Sequence, residues 1–167
     1  MNQVKKAKIR NKNMNQPIYR VAILGCRSRG SAAARVYNAH PRTEVVGICD
    51  LVEDRLNKIG EELGVTARFT DLDEMIKYTE PDIVAIPTAP SLHAPLALKV
   101  LEHGVNIEVE KPMGMDLIET DSVMRKAVEQ GVQVAVHHQW RLSGWTQAIN
   151  QIYQEGGIGE LRHIYAS

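Results

Sequence analysis

The sequence predicts an α/β fold, a doubly wound and mostly parallel sheet. Short β-type runs alternate with helical stretches from Ile18 onward. Most of these runs are continuously apolar, as strands buried on both faces of a parallel sheet are. Prolines and glycines fall at the junctions, where helices stop and strands start. Repeated strand-helix-strand units of this kind build a doubly wound sheet.

The expected strands are Tyr19–Leu24, Glu44–Asp50, Ala67–Thr70, Asp82–Ile86, Asn106–Val109 and Val132–His137. The expected helices are Gly30–Ala39, Glu53–Leu63, Leu72–Lys77, Leu92–His103 and Asp116–Gln130. Pro41 and Gly64 end the first two helices, and Pro81 precedes the fourth strand. Gly104 and Gly131 stand where C-caps are expected. After His137 the pattern changes. HHQWRLSGW contains both tryptophans, TQAINQIYQEGGIGE reads as one more helix, and LRHIYAS reads as a strand. A strand there would be a bare edge, so it is expected to open a second domain. The expected organisation is a basic, disordered leader over 1–17, a doubly wound α/β domain over 18–140, and a linking helix and strand over 141–167.

Composition narrows the class. An apolar fraction of 44% supports a real core, and no apolar run is long enough to span a membrane. The N-terminus has no secretory h-region. Cys26 and Cys49 are the two cysteines, a count that suits free thiols in a reducing cytoplasm. No Cys or His spacing suggests a metal. Net charge is zero, but residues 1–20 hold six Lys/Arg and no acid, and the rest holds 14 basic and 20 acidic residues. An acidic body argues against nucleic acid as a partner. A small molecule is the expected ligand, with homo-oligomers possible.

Three positions carry chemistry. GCRSRG, Gly25–Gly30, follows the first strand and opens a helix. It has the outer glycines of a dinucleotide-binding turn, with Arg27 in place of the middle one. A helix N-terminus aimed at the turn suits a phosphate. Arg27 and Arg29 are candidates to contact the phosphates or to cover the adenine. Asp50 ends the second strand, 20 residues after Gly30. An acid there can bind adenosine ribose hydroxyls, or cap the next helix. Leu51 and Val52 beside it favour NAD over NADP, with Arg55 as weaker counter-evidence. IEVEKPM, Ile107–Met113, ends at the carboxyl edge of the sheet. Lys111 there can act as an acid/base or as an electrostatic clamp, Glu110 can hold its ammonium, and Pro112 sets the bend, with a cis bond open to it.

The order of these markers resembles the Gfo/Idh/MocA family of oxidoreductases. VAILGCRSRG is similar to its first turn, and VVGICD to its acidic second-strand end. TAPSLHAPLALKVLEHGVNIEVEKPM is similar to its T-P-N-x-x-H segment leading to E-K-P, and HHQWRLSGW with GGIGELRHI to its interdomain join. The resemblance covers residues 19–167. It implies a Rossmann fold and NAD, with NADP less favoured. It implies cofactor contacts at Gly25, Arg27, Ser28, Arg29, Gly30, Asp50, Thr88, His93, Glu110, Pro112 and Gln139. Lys111 matches the lysine that assists hydride transfer, and it and Arg141 are the implied substrate contacts. The substrate class implied is a sugar, cyclitol or similar polyol. Arg27 and Ala89-Pro90 depart from the family pattern. The family's second domain, with its D-x-x-x-H signature, lies beyond Ser167, so little turnover is expected from these 167 residues alone. A non-catalytic NAD-binding module and an NAD-dependent glycoside hydrolase are the alternatives.

Overall fold

The computed structural model describes residues 17–163 and 165. Most of the expected leader therefore lies outside the described residues. The elements in chain order are β1 (Tyr19–Leu24), α1 (Ser28–Ala39), β2 (Thr43–Cys49), α2 (Glu53–Leu63), β3 (Arg68–Phe69), α3 (Leu72–Thr79), β4 (Ile83–Ile86), α4 (Pro90–Leu101), β5 (Asn106–Glu110), α5 (Leu117–Gln130) and β6 (Val134–His137). A 3-10 turn (Gln139–Leu142) and α6 (Gly144–Gln154) follow.

The strands form one sheet in the order β3-β2-β1-β4-β5-β6. The pairings β1–β2, β1–β4, β2–β3 and β4–β5 are all parallel. This is the doubly wound order with its switch point between β1 and β4. Side chains alternate across the sheet, and the core divides accordingly. Val21 and Ile23 face one cluster with Val45, Ile48, Ala34 of α1, and Leu56 and Ile59 of α2. Ala22 and Leu24 face the other, with Val84, Ile86, Ile107, Val109 and the buried faces of α3, α4 and α5. Both faces are covered, which is why the central stretches VAIL of β1, VVGIC of β2 and IVAI of β4 read as unbroken apolar runs.

Several boundaries differ from the sequence reading. The first helix starts at Ser28 rather than Gly30, so Arg27 becomes its N-cap. The third runs to Thr79, and the fourth starts at Pro90, a residue whose fixed φ suits a first turn. β3 keeps two residues of the expected four. Asp71 and Asp116 cap α3 and α5 by accepting from the Glu74 and Glu119 N–H groups.

The chain divides into two compact units, one through Val136 and one from His137. In the second, Trp140 and Trp145 pack on each other at 5.8 Å between ring centroids. α6 leaves Trp145, Ile149 and Ile152 exposed. The expected strand over Leu161–Ser167 does not form in its described residues, Leu161–His163 and Tyr165. A strand needs a partner for its backbone groups, and among the described residues these four pair with none.

Candidate cofactor site at the carboxyl edge of the sheet

β1 delivers the chain to Gly25, whose φ of 102° is a left-handed geometry that favours glycine. Its N–H donates to the Cys49 carbonyl at 2.7 Å, extending the β1–β2 ladder by one bond. α1 then starts with Arg27 as N-cap, without a side-chain cap and without an acid in its first turn. Its leading N–H groups and the positive end of its dipole are left for an anion. A Cβ on Gly30 would sit 1.7 Å from the Gly25 carbonyl oxygen. Glycine there is what lets the helix lie against the turn. Arg27, Ser28 and Arg29 are exposed. The Arg27 guanidinium has no partner among the described residues.

Asp50 stands directly after β2 and is 8% exposed. One carboxylate oxygen accepts the Cys26 N–H at 2.7 Å, and the other accepts the Val52 N–H at 2.9 Å and Arg55 Nη1 at 3.3 Å. The acid thus ties the glycine turn to the start of α2, so the ribose role and the helix-start role meet in one residue. A carboxylate has about four acceptor positions, which leaves room for one further donor. Arg55 was the lesser sequence signal, yet its position on the first turn of α2 brings it into an ion pair with Asp50. Burial pushes the Cys26 thiol up to about 12 and the Cys49 thiol up to about 11, with Asp50 contributing to both. Both thiols stay protonated and inert near neutral pH.

The ends of β4 and β5 supply the rest. Thr88 follows β4, and its Oγ1 is buried without a hydrogen-bond partner among the described residues. Its Cγ2 lies 3.0 Å from the point where a Gly25 Cβ would sit, so Thr88 borders the glycine turn. His93 lies on α4 and is 1% exposed. Its Nδ1 is 2.6 Å from the Pro112 carbonyl and its Nε2 is 3.1 Å from the Thr88 carbonyl. The ring belongs to the wall behind the site. Glu110 closes β5, and its Oε1 is 3.9 Å from Arg29 Nε, while its Oε2 accepts the Lys111 N–H at 3.2 Å. The carboxylate therefore pairs with Arg29 and the Lys111 backbone instead of holding the Lys111 ammonium; the Lys111–Pro112 bond is cis. Lys111 is exposed, and its ammonium has no partner among the described residues.

Gly25, Arg27, Ser28, Arg29, Gly30, Asp50, Thr88, Glu110 and Lys111 all lie at the carboxyl ends of β1, β2, β4 and β5. Ligands of doubly wound sheets bind in that crevice. Gln139 and Arg141 lie in the 3-10 turn of the second unit. Gln139 Oε1 is enclosed and has no hydrogen-bond partner among the described residues.

An uncapped helix start, a carboxylate with spare acceptor capacity and an unpartnered buried hydroxyl on one edge define a dinucleotide-binding domain. A family model described as an oxidoreductase family, NAD-binding Rossmann fold, matches residues 19–138. The chain belongs to that family, the Gfo/Idh/MocA oxidoreductases. Among its relatives, the D-apiose dehydrogenase of Paraburkholderia graminis is 24% identical over 84% of this chain and 38% of its own length. The scyllo-inositol 2-dehydrogenase (NAD(+)) of Bacillus subtilis is 31% identical over 68% of this chain and 33% of its own. The scyllo-inositol dehydrogenase of Lactobacillus casei, solved with NAD(H) and scyllo-inositol, superposes with a TM-score of 0.80 at 21% identity, over 86% of this chain and 43% of its own. The chain thus spans well under half the length of these relatives.

Proposed function

We propose that this chain is the cofactor-binding half of an NAD-dependent oxidoreductase acting at a carbinol or carbonyl carbon of a sugar, cyclitol or related polyol. The observation that carries the reading is the meeting of the uncapped start of α1, Asp50, Thr88 and Lys111 on one sheet edge. The apiose and inositol dehydrogenases among its relatives support the substrate class.

NAD, when bound, supplies the hydride-accepting ring. The protein's part is binding, orientation and proton handling. Gly25, Gly30 and the first N–H groups of α1 hold the diphosphate, with Arg27, Ser28 and Arg29 around it. Asp50 accepts from an adenosine ribose hydroxyl. Thr88 Oγ1, Glu110 and Pro112 border the nicotinamide half, with His93 behind them. Lys111 is the proposed catalytic group, its neutral amine held beside the substrate oxygen to take the hydroxyl proton in oxidation and its ammonium to return that proton in reduction. Gln139 and Arg141 are proposed contacts to cofactor and substrate. Residues 18–140 then form the cofactor domain, and 141–167 lead toward the substrate half.

Titrating the ¹⁵N-labelled chain with NAD tests this. Amide shifts should concentrate at Gly25–Gly30, Asp50 and Thr88. Shifts confined to other residues would remove the cofactor assignment.

A further inference from the structure

We infer that His93 is a positioning residue, a buried ring that spans two facing turns and sets where Lys111 stands. The inference deepens the proposed function and rests on Lys111 as the group that handles the hydroxyl. The imidazole is 1% exposed and sits between two backbone carbonyls. Nδ1 meets the Pro112 oxygen at 2.6 Å, one residue after Lys111, and Nε2 meets the Thr88 oxygen at 3.1 Å, in the turn after β4. Carbonyls only accept, and a neutral imidazole has one N–H. A neutral ring therefore donates to one of the two at a time, and the shorter contact assigns the N–H to Nδ1 and Pro112.

The consequence is mechanical. Among the described residues, the buried Thr88 hydroxyl has no hydrogen-bond partner and the Lys111 ammonium has none either. Neither side chain is held by its own polar group. Among the described residues, the Lys111 hydrogen bond back to β5 is the one its N–H donates to Glu110 Oε2. The His93–Pro112 bond is the buried anchor on the other side of the lysine, and it is tied to an α4 whose Ala94 and Ala97 are packed in the core. Losing the ring frees the lysine turn while leaving the sheet in place.

Amide hydrogen exchange in the cofactor-free chain tests this, using His93→Asn, His93→Gln and His93→Phe. Asn places an N–H near the position of Nδ1 and reaches Pro112. Gln reaches the position of Nε2, toward Thr88, and Phe reaches neither. Exchange at residues 113–115 should rise about tenfold in the Gln and Phe variants and stay near wild type in the Asn variant. Amides of β1 and β4 should not change in any of them. Affinity for NADH should fall about tenfold in the Gln and Phe variants, and affinity for AMP, which needs only the Asp50 end, should hold. Equal exchange in the Asn and Gln variants, or a rise shared by β1 and β4, overturns the inference. If the Phe variant does not fold, the comparison of Asn with Gln decides. The expected exchange pattern in a wild-type chain that fails to bind NADH would keep the anchor and remove the cofactor reading.

Discussion

Replacing Thr88 by Val should move stability and cofactor affinity in opposite directions. The Oγ1 of Thr88 is buried without a partner among the described residues, while its Cγ2 packs toward Gly25. Val keeps the packing methyl and puts a second methyl where the hydroxyl was. An unsatisfied buried hydroxyl costs roughly 1–3 kcal/mol. Thr88 as a whole is half-buried, so the low end applies and the variant should gain about 1 kcal/mol. For a domain of this size that raises Tm by about 2–4 °C. If the hydroxyl is reserved for the cofactor, its loss removes one neutral hydrogen bond and weakens NAD about 5- to 10-fold. Thermal unfolding with and without saturating NAD reads both quantities, because a ligand that binds only the folded state raises Tm in proportion to its affinity. The variant should melt higher than wild type alone and gain less from NAD. A lower Tm without NAD, or an unchanged NAD shift, would refute the assignment.

Asp50→Asn leaves one carbonyl oxygen and one NH₂ where two backbone N–H groups converge from opposite sides. One donor then faces another donor, and destabilisation of about 2–3 kcal/mol should appear in urea unfolding. Arg55→Ala removes the cation beside Asp50. By isothermal titration it should weaken NADP several-fold and leave NAD nearly unchanged, because the bare carboxylate repels the extra phosphate. Arg27→Gly takes away an exposed guanidinium, without a partner among the described residues, at the start of α1. NAD should bind about 3- to 10-fold more weakly at low salt and the difference should shrink as salt rises; tighter binding would make Arg27 an obstacle instead. The raised thiols of Cys26 and Cys49 add an alkaline limit. Their folded values lie above the ordinary range of a thiol, so the folded chain retains protons that the unfolded chain loses. Their contribution is complete below about pH 9 and declines as pH rises toward 11–12, at up to about 1.4 kcal/mol per pH unit for each thiol. Urea titrations between pH 8 and 10.5 should show it, and serine at both positions should flatten the slope.

Much of the frame was legible because buried parallel strands advertise themselves. VAIL in β1 and VVGIC in β2 are apolar without interruption, and each is covered on both faces. Asp50 and the glycine turn were legible by their separation, and Glu110-Lys111-Pro112 by its place after a strand. The resemblance to a known family added what spacing alone could not, namely the parts expected of Thr88, His93 and Gln139. The least legible elements had the weakest local signals. β3 has two paired residues, and the strand expected at Leu161–Ser167 has no neighbour to pair with among the described residues. Arg27 was legible as a departure, but not as the N-cap of a helix that starts two residues early.

Local order and side-chain type were therefore set by the sequence: which runs are strands, where a helix points at a glycine turn, and which acid, hydroxyl and lysine lie near strand ends. Contacts between residues far apart in the chain were decided only by the tertiary structure. Arg29 meets Glu110 from another strand's turn, drawing that carboxylate away from the lysine beside it. His93 reaches across 19 positions to the Pro112 carbonyl. The physical reason is that a residue's neighbours along the chain fix its backbone preference, whereas its hydrogen-bond partners depend on which turns the strand order brings together.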